Sequence, residues 1–138
     1  MEPNRARAAA WLAAGRRAVV VRVAETRGSA PREAGTRMLV AVDEAAGTIG
    51  GGHLELKAID EARAMLQAGD AAPRSHHYPL GPALGQCCGG AVTLGFERLD
   101  AEALATWPVA APRFFLQLYG AGHVGRAIAR ALAPLNVR

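Results

Sequence analysis

The sequence predicts an α/β chain: a mixed-sheet α+β domain over residues 1–99, a linker over 100–113, and the first strand and helix of a second domain over 114–138. Three observations carry that expectation. Ala18 to Ala24 is an almost continuous apolar, β-branched run, as expected of a strand buried within a sheet. Leu54, Ala58, Ala62, Met65 and Leu66 recur at helical spacing, while Lys57, Asp60, Glu61 and Arg63 fall on other faces. Finally, Gly120, Gly122 and Gly125 stand in G-x-G-x-x-G spacing after the apolar run Phe114 to Tyr119.

Taken in order, residues 4–17 read as a helix capped by Asn4, with Trp11 and Leu12 on its apolar side and Gly15 weakening its end. The strand 18–24 follows, then a loop from Glu25 to Arg37 punctuated by Gly28, Pro31 and Gly35 and carrying three arginines. Met38 to Val42 reads as the next strand and Asp43 to Gly47 as a hairpin turn. Thr48 to Glu55 joins a short strand to the amphipathic helix, which Gly69 ends. His76 to Tyr78 reads as a short strand, and Ala91 to Phe96 as another. Pro108 and Pro112 mark the linker, which has room for one or two helical turns. Val124 to Leu132 reads as the last helix.

At 138 residues and 51% apolar, the chain is large enough for one domain with a real core. No apolar run reaches the roughly 18 residues of a membrane span. Met1 to Arg5 lacks the charged-then-apolar order of a signal peptide, so a soluble, cytoplasmic protein is expected. The only two cysteines, Cys87 and Cys88, are adjacent, which makes a poor disulfide framework and fits a reducing compartment. Eight arginines fall within the first 37 residues, against Glu2, Glu25 and Glu33 alone. Guanidinium suits planar recognition of phosphate and carboxylate, so an anionic ligand is the natural partner. Nucleic acid fits less well, because aromatics are few and none interleave with the basic residues.

The most concentrated chemistry lies at Gly85-Gln86-Cys87-Cys88-Gly89-Gly90, which reads as a thiol presented on a tight turn. Flanking glycines let backbone N–H groups approach a thiolate or a bound anion. Gly50-Gly51-Gly52, just ahead of a helix, is a second candidate anion site, since free N–H groups and the helix dipole both favour negative charge there. Adjacent His76-His77 and Cys87-Cys88 invite a zinc reading, but paired zinc ligands are normally separated by two or more residues. Gly120, Gly122 and Gly125 have the strand-to-helix context of a nucleotide-binding turn. The chain stops at Arg138, ahead of any second strand carrying the acidic residue that holds a ribose. It is therefore expected to be a fragment or truncated relative, with NAD(P) binding by these residues alone disfavoured.

Four segments in order, Thr26 to Arg32 with Gly35 and Met38, Gly47 to Glu55, Leu84 to Gly90, and Tyr119 to Gly125, together resemble the XdhC/CoxI family. Members of that family are accessory factors of xanthine dehydrogenase and related molybdenum hydroxylases. The resemblance implies an N-terminal α/β domain joined to a Rossmann-like domain, of which this chain has only the first β-α unit. It also implies binding of molybdenum cofactor (molybdopterin), support for its sulfuration with a cysteine desulfurase, and delivery to the hydroxylase. The candidate cofactor contacts are then Arg27, Ser29, Arg32, Gly50, Gly51, Gly52, Gln86, Cys87, Cys88, Gly89 and Gly90. Arg27, Arg32 and the Gly50 to Gly52 turn suit the phosphate, and Cys88, with Cys87 beside it, suits the molybdenum or its sulfur, since thiolate matches a soft centre.

A carrier needs no general acid or base, and the sequence offers no convincing carboxylate pair or Ser-His-Asp set, so an accessory protein is expected rather than an enzyme. Two other readings compete: an NAD(P)-dependent oxidoreductase resting on Gly120 to Gly125, and a sulfurtransferase carrying a persulfide on Cys88. An apolar strand at 114–119 and an apolar helix face of Val124, Ile128, Ala131 and Leu132 have no second strand to complete them. They are expected to dock on the first domain or to pair across a homodimer.

Overall fold

The computed structural model describes residues 3–81, 89–109, 111–133, 135 and 137. The strands β1 (Ala18–Arg27), β2 (Arg37–Ala41), β3 (Ala45–Gly47), β4 (Arg74–Pro79) and β5 (Ala91–Arg98) form one sheet in the order β3-β2-β1-β5-β4. The helices are α1 (Pro3–Ala13), α2 (Gly52–Ala68), α3 (Ala101–Ala105) and α4 (His123–Leu132). The α/β class expected from the sequence is thus observed. Every strand pairing is antiparallel, however, where a mixed sheet is expected. The connectivity explains the difference. Helix α2 links β3 to β4, which run in the same direction but lie at opposite edges of the sheet and never meet.

β1 is the central strand, and Val19, Val20 and Val21 are all fully buried because both faces of the sheet are covered. On one face Val19, Val21, Val23, Met38 and Val40 pack with Val92, Leu94 and Phe96 against Leu54, Ala58, Ala62, Met65 and Leu66 of α2. On the other, Ala18, Val20, Leu39 and Ala41 pack against Ala8 and Trp11 of α1, Ala103 of α3, and Trp107. Each buried Val, Leu, Met or Phe among them contributes about 1.5–3 kcal/mol and each Ala less, so the three-layer arrangement is held chiefly by these two clusters.

Several boundaries differ from the sequence reading, each for a physical reason. Asn4 lies inside α1 rather than capping it, and its amide donates to the Arg37 carbonyl at 3.4 Å. β1 continues through Glu25, Thr26 and Arg27 after a bulge between Val23 and Glu25, where an extra residue re-aims the strand. Ala45–Gly47, expected as turn, forms β3, because Ala46 is buried under the second cluster. Leu99, α3 and Trp107 also belong to that cluster, although the sequence reading begins a linker at 100. There the Asp100 side chain accepts from the Ala103 amide at 2.8 Å and starts α3.

Helix α4 forms as expected, but Phe114 to Tyr119 join no sheet ladder among the described residues. A strand needs a partner for its N–H and C=O groups, and the described residues supply none. Phe115, Tyr119 and Val124 remain 75%, 89% and 73% exposed. No helix among the described residues is long and apolar enough to cross a membrane.

Trp107 is the largest fully buried side chain, with the Arg37 guanidinium 5.4 Å from its ring centroid. Trp107→Ala is expected to cost about 3–5 kcal/mol in denaturant unfolding, while Val42→Thr at an exposed position stays within about 0.5 kcal/mol.

Candidate functional site

The antiparallel register brings Arg27 at the end of β1 opposite Ala91 at the start of β5, and Ala91 is opposite Pro79 at the end of β4. Two connections therefore share a base: 28–36, which leaves β1, and the one between β4 and β5, of which 80–81 and 89–90 are described. The second loop is closed by the Leu80 amide donating to the Gly90 carbonyl at 2.8 Å, with the Leu80 side chain buried in the core. Gly90 is pressed against the carbonyl oxygens of Arg27 and Ser29 so closely that any Cβ there would overlap them. Gly28 faces the same seam, with φ of 66° and only 3.2 Å between its would-be Cβ and the Gly90 Cα.

The glycine turn ahead of α2 reaches the same place. A Cβ on Gly50 would lie 2.6 Å from Pro31 Cγ, so the turn and the arginine loop pack backbone to ring. Gly50, Gly51 and Gly52 have φ of 127°, 77° and 65°, which side chains with a Cβ resist. Within this turn the Glu55 carboxylate accepts from the amides of Ile49 at 3.1 Å and Gly51 at 3.0 Å and from the Thr48 hydroxyl at 2.5 Å. The Gly50 amide donates to the Thr48 hydroxyl oxygen at 3.1 Å. Glu55 lies within a segment singled out from the sequence, but sequence reasoning gave it no role. The available signal is an acid in the first turn of a helix that begins at glycines.

Of the residues proposed from the sequence, Arg27, Ser29, Arg32, Gly50, Gly51, Gly52, Gly89 and Gly90 gather around this seam. Gln86, Cys87 and Cys88, including the possible molybdenum contact at Cys88, lie outside the described residues. Arg27 pairs with Glu25 at 3.0 Å, whereas Arg32 is exposed and makes no ion pair or hydrogen bond among the described residues. A Cβ on Gly51 or Gly89 would meet open space, so the seam is lined by bare backbone.

The arginine excess of the first 37 residues is largely spent within the fold. Arg16 stacks 4.3 Å over Trp11 and pairs with Asp43 and Glu44, and Arg7 pairs with Glu44 at 3.2 Å. Hydrogen bonding from Arg16 holds the Asp43 carboxyl below its usual range. Arg17 donates to the Leu66 carbonyl at the end of α2, and Arg37 donates to the carbonyls of Gly35 and Thr106.

His76 and His77, as neighbours on a strand, serve opposite faces: His76 meets Glu61 at 2.7 Å and His77 meets Thr93 at 3.3 Å. Among the described residues no group of three or more His, Cys, Asp or Glu could hold a metal. Tyr78 also donates to Glu61, at 2.8 Å, and burial, reinforced by that carboxylate, pushes its phenol up. In the C-terminal segment Gly120 has φ of 109°, and a Cβ on Gly125 would lie 2.6 Å from the Gly120 carbonyl oxygen. The glycine spacing thus serves a tight turn into α4.

The XdhC and CoxI family model matches residues 11–79, half of the chain. The Escherichia coli K12 protein YqeB, described as uncharacterized, is 35% identical over 121 residues, covering 85% of this chain and 20% of that protein. A Bacillus halodurans crystal structure described as a xanthine dehydrogenase superposes with a TM-score of 0.62 at 23% identity, covering 74% of this chain and 32% of that one. The fold is shared with that structure, and the chain spans a fifth and a third of the lengths of these two relatives.

The seam yields a paired expectation. Gly90→Ala forces the two loops apart and costs about 2 kcal/mol or more in thermal or denaturant unfolding, whereas Gly89→Ala stays within about 0.5 kcal/mol.

Proposed function

We propose, from the premise that this chain belongs to the XdhC and CoxI family, that it is an accessory protein of xanthine dehydrogenase or a related molybdenum hydroxylase. In this reading it binds molybdenum cofactor, supports its sulfuration with a cysteine desulfurase, and hands it to the hydroxylase. The observation that supports the reading is the convergence of three separate motif segments, 27–32, 48–55 and 89–90, on one backbone-lined seam at one end of the sheet. Beside that backbone stands Arg32, exposed and unpaired among the described residues.

The residues present fit an anionic pterin. Arg32 offers a guanidinium with no partner to displace among the described residues, Ser29 offers a hydroxyl at the loop surface, and Gly51 and Gly89 leave space that a Cβ would fill. When bound, the cofactor supplies the molybdenum and dithiolene needed by the recipient enzyme. The chain's own part is to bind, orient and shelter it. Arg27, already paired with Glu25, is the weaker phosphate donor of the two arginines. We assign Cys88, assisted by Cys87, to the molybdenum or its sulfur.

The exposed apolar residues Phe114, Phe115, Leu116, Leu118 and Val124 fit pairing with a second copy, so we propose a homodimer built through 114–132. Size-exclusion chromatography with light scattering tests this: the 138-residue chain is expected as a dimer and a chain ending at Ala111 as a monomer. A monomeric long form as soluble as the short one contradicts it.

The cofactor reading is tested by molybdenum content and the visible spectrum of protein purified anaerobically from cells that make the cofactor. Wild type is expected to carry molybdenum, Arg32→Ala to retain about tenfold less with its melting temperature unchanged, and Cys88→Ala to lose more than Cys87→Ala. Full retention by Arg32→Ala removes that residue from the site, and retention by both cysteine variants removes the thiols.

A further inference from the structure

The glycine turn ahead of α2 looks like an anion cradle in the sequence, yet its donors already have an acceptor. Glu55 Oε2 takes the Ile49 and Gly51 amides and the Thr48 hydroxyl, and the Gly50 amide turns to Thr48 Oγ1. A carboxylate held by two amides and a hydroxyl makes charge-assisted bonds, which an external anion would have to break before binding there. Bonds from backbone N–H groups to one carboxylate oxygen fill the place a phosphate oxygen takes in an open turn of this kind.

We propose that Glu55 is an internal anion that permanently occupies this turn, and that the turn is a positioning element for Arg32 rather than a phosphate site. The linkage is steric and short. With Glu55 fixing Thr48 to Gly51, Gly50 stacks on the Pro31 ring, 2.6 Å from Cγ at its would-be Cβ, and Arg32 Cγ is 3.8 Å from the same point. The loop 28–36 is thereby clamped between the turn on one side and Gly90 on the other, with Ala30 packed against the core. Arg32 is left pointing no hydrogen bond at the described protein and is the group available to an anionic ligand. This rests on the reading above that an anionic group is bound at the seam, and it reassigns which residues meet that group. Gly50 to Gly52 shape the site, and Arg32 makes the contact.

The test is a titration of the 138-residue protein with inorganic phosphate and, separately, formate, read at the amide resonances of Ile49 and Gly51. In wild type these two amides stay in place through the titration. Glu55→Ala is expected to lower the melting temperature by about 5 °C or more, to regain part of that loss in formate, and to show saturable shifts of both amides. A purely structural Glu55 would give no rescue by a small carboxylate. Saturable shifts of Ile49 and Gly51 in wild type overturn the proposal, as does a folded Glu55→Ala that ignores both anions. Should Glu55→Ala not fold, the wild-type titration still decides, and Glu55→Gln, which keeps one acceptor oxygen, is expected to fold with both amides unresponsive. Molybdenum content of wild type is a separate readout, so failure to carry cofactor would sink the accessory reading and leave the result on the turn standing.

Discussion

Burial of β1 on both faces is the constraint from which the rest of the structure follows. Val19, Val20 and Val21 are fully enclosed, odd positions by α2 and even ones by α1, α3 and Trp107. A strand so placed must be central, which puts β2 on one side and β5 on the other. Its far end, where polar Glu25 to Arg27 emerge past the bulge, is where the sheet stops being covered and the loops begin. The candidate site therefore sits at the C-terminal end of the central strand, with its three segments anchored to β1, β5 and α2.

Arginine distribution illustrates how a fold redirects charge. Eight arginines in 37 residues suggest a broad anion-binding face, yet Arg7 and Arg16 meet Asp43 and Glu44, Arg17 meets a helix-end carbonyl, and Arg37 is buried beside Trp107. These pairs are mostly exposed and individually weak, but they occupy the guanidinium groups. At the seam Arg27 pairs with Glu25, which leaves Arg32 without such a partner among the described residues. In the proposed reading, selectivity for an anion comes from one well-placed donor set against side-chain-free backbone, and not from a diffuse positive field.

The central strand and α2 were legible because burial leaves a period in the sequence: a continuous apolar run for the first, and Leu54, Ala58, Ala62, Met65 and Leu66 for the second, all five of which are buried. β3 was hidden, since three residues with a single buried alanine carry no pattern. Phe114 to Tyr119 have strand propensity, but a ladder is made with a partner, and propensity does not name one. Most of the site's members were visible as glycines in loops. Their convergence was not, because it depends on antiparallel register between Arg27 and Ala91 and on ring-to-backbone packing of Pro31 on Gly50. Beyond its place in the first turn of α2, Glu55 carries no sequence signal of its role because two of its three partners are backbone amides, which every residue has.

The central proposal is that 27–32 and 89–90 act as one ligand-binding seam, which the turn at 48–55 holds in place without meeting the ligand. Amide hydrogen exchange of the protein with and without molybdenum cofactor, followed by mass spectrometry, tests it most directly. The account predicts added protection in peptides from the arginine loop and from the segment entering β5, with little change in the already hydrogen-bonded turn at 48–51. Protection confined to 114–132, or none anywhere, would contradict it.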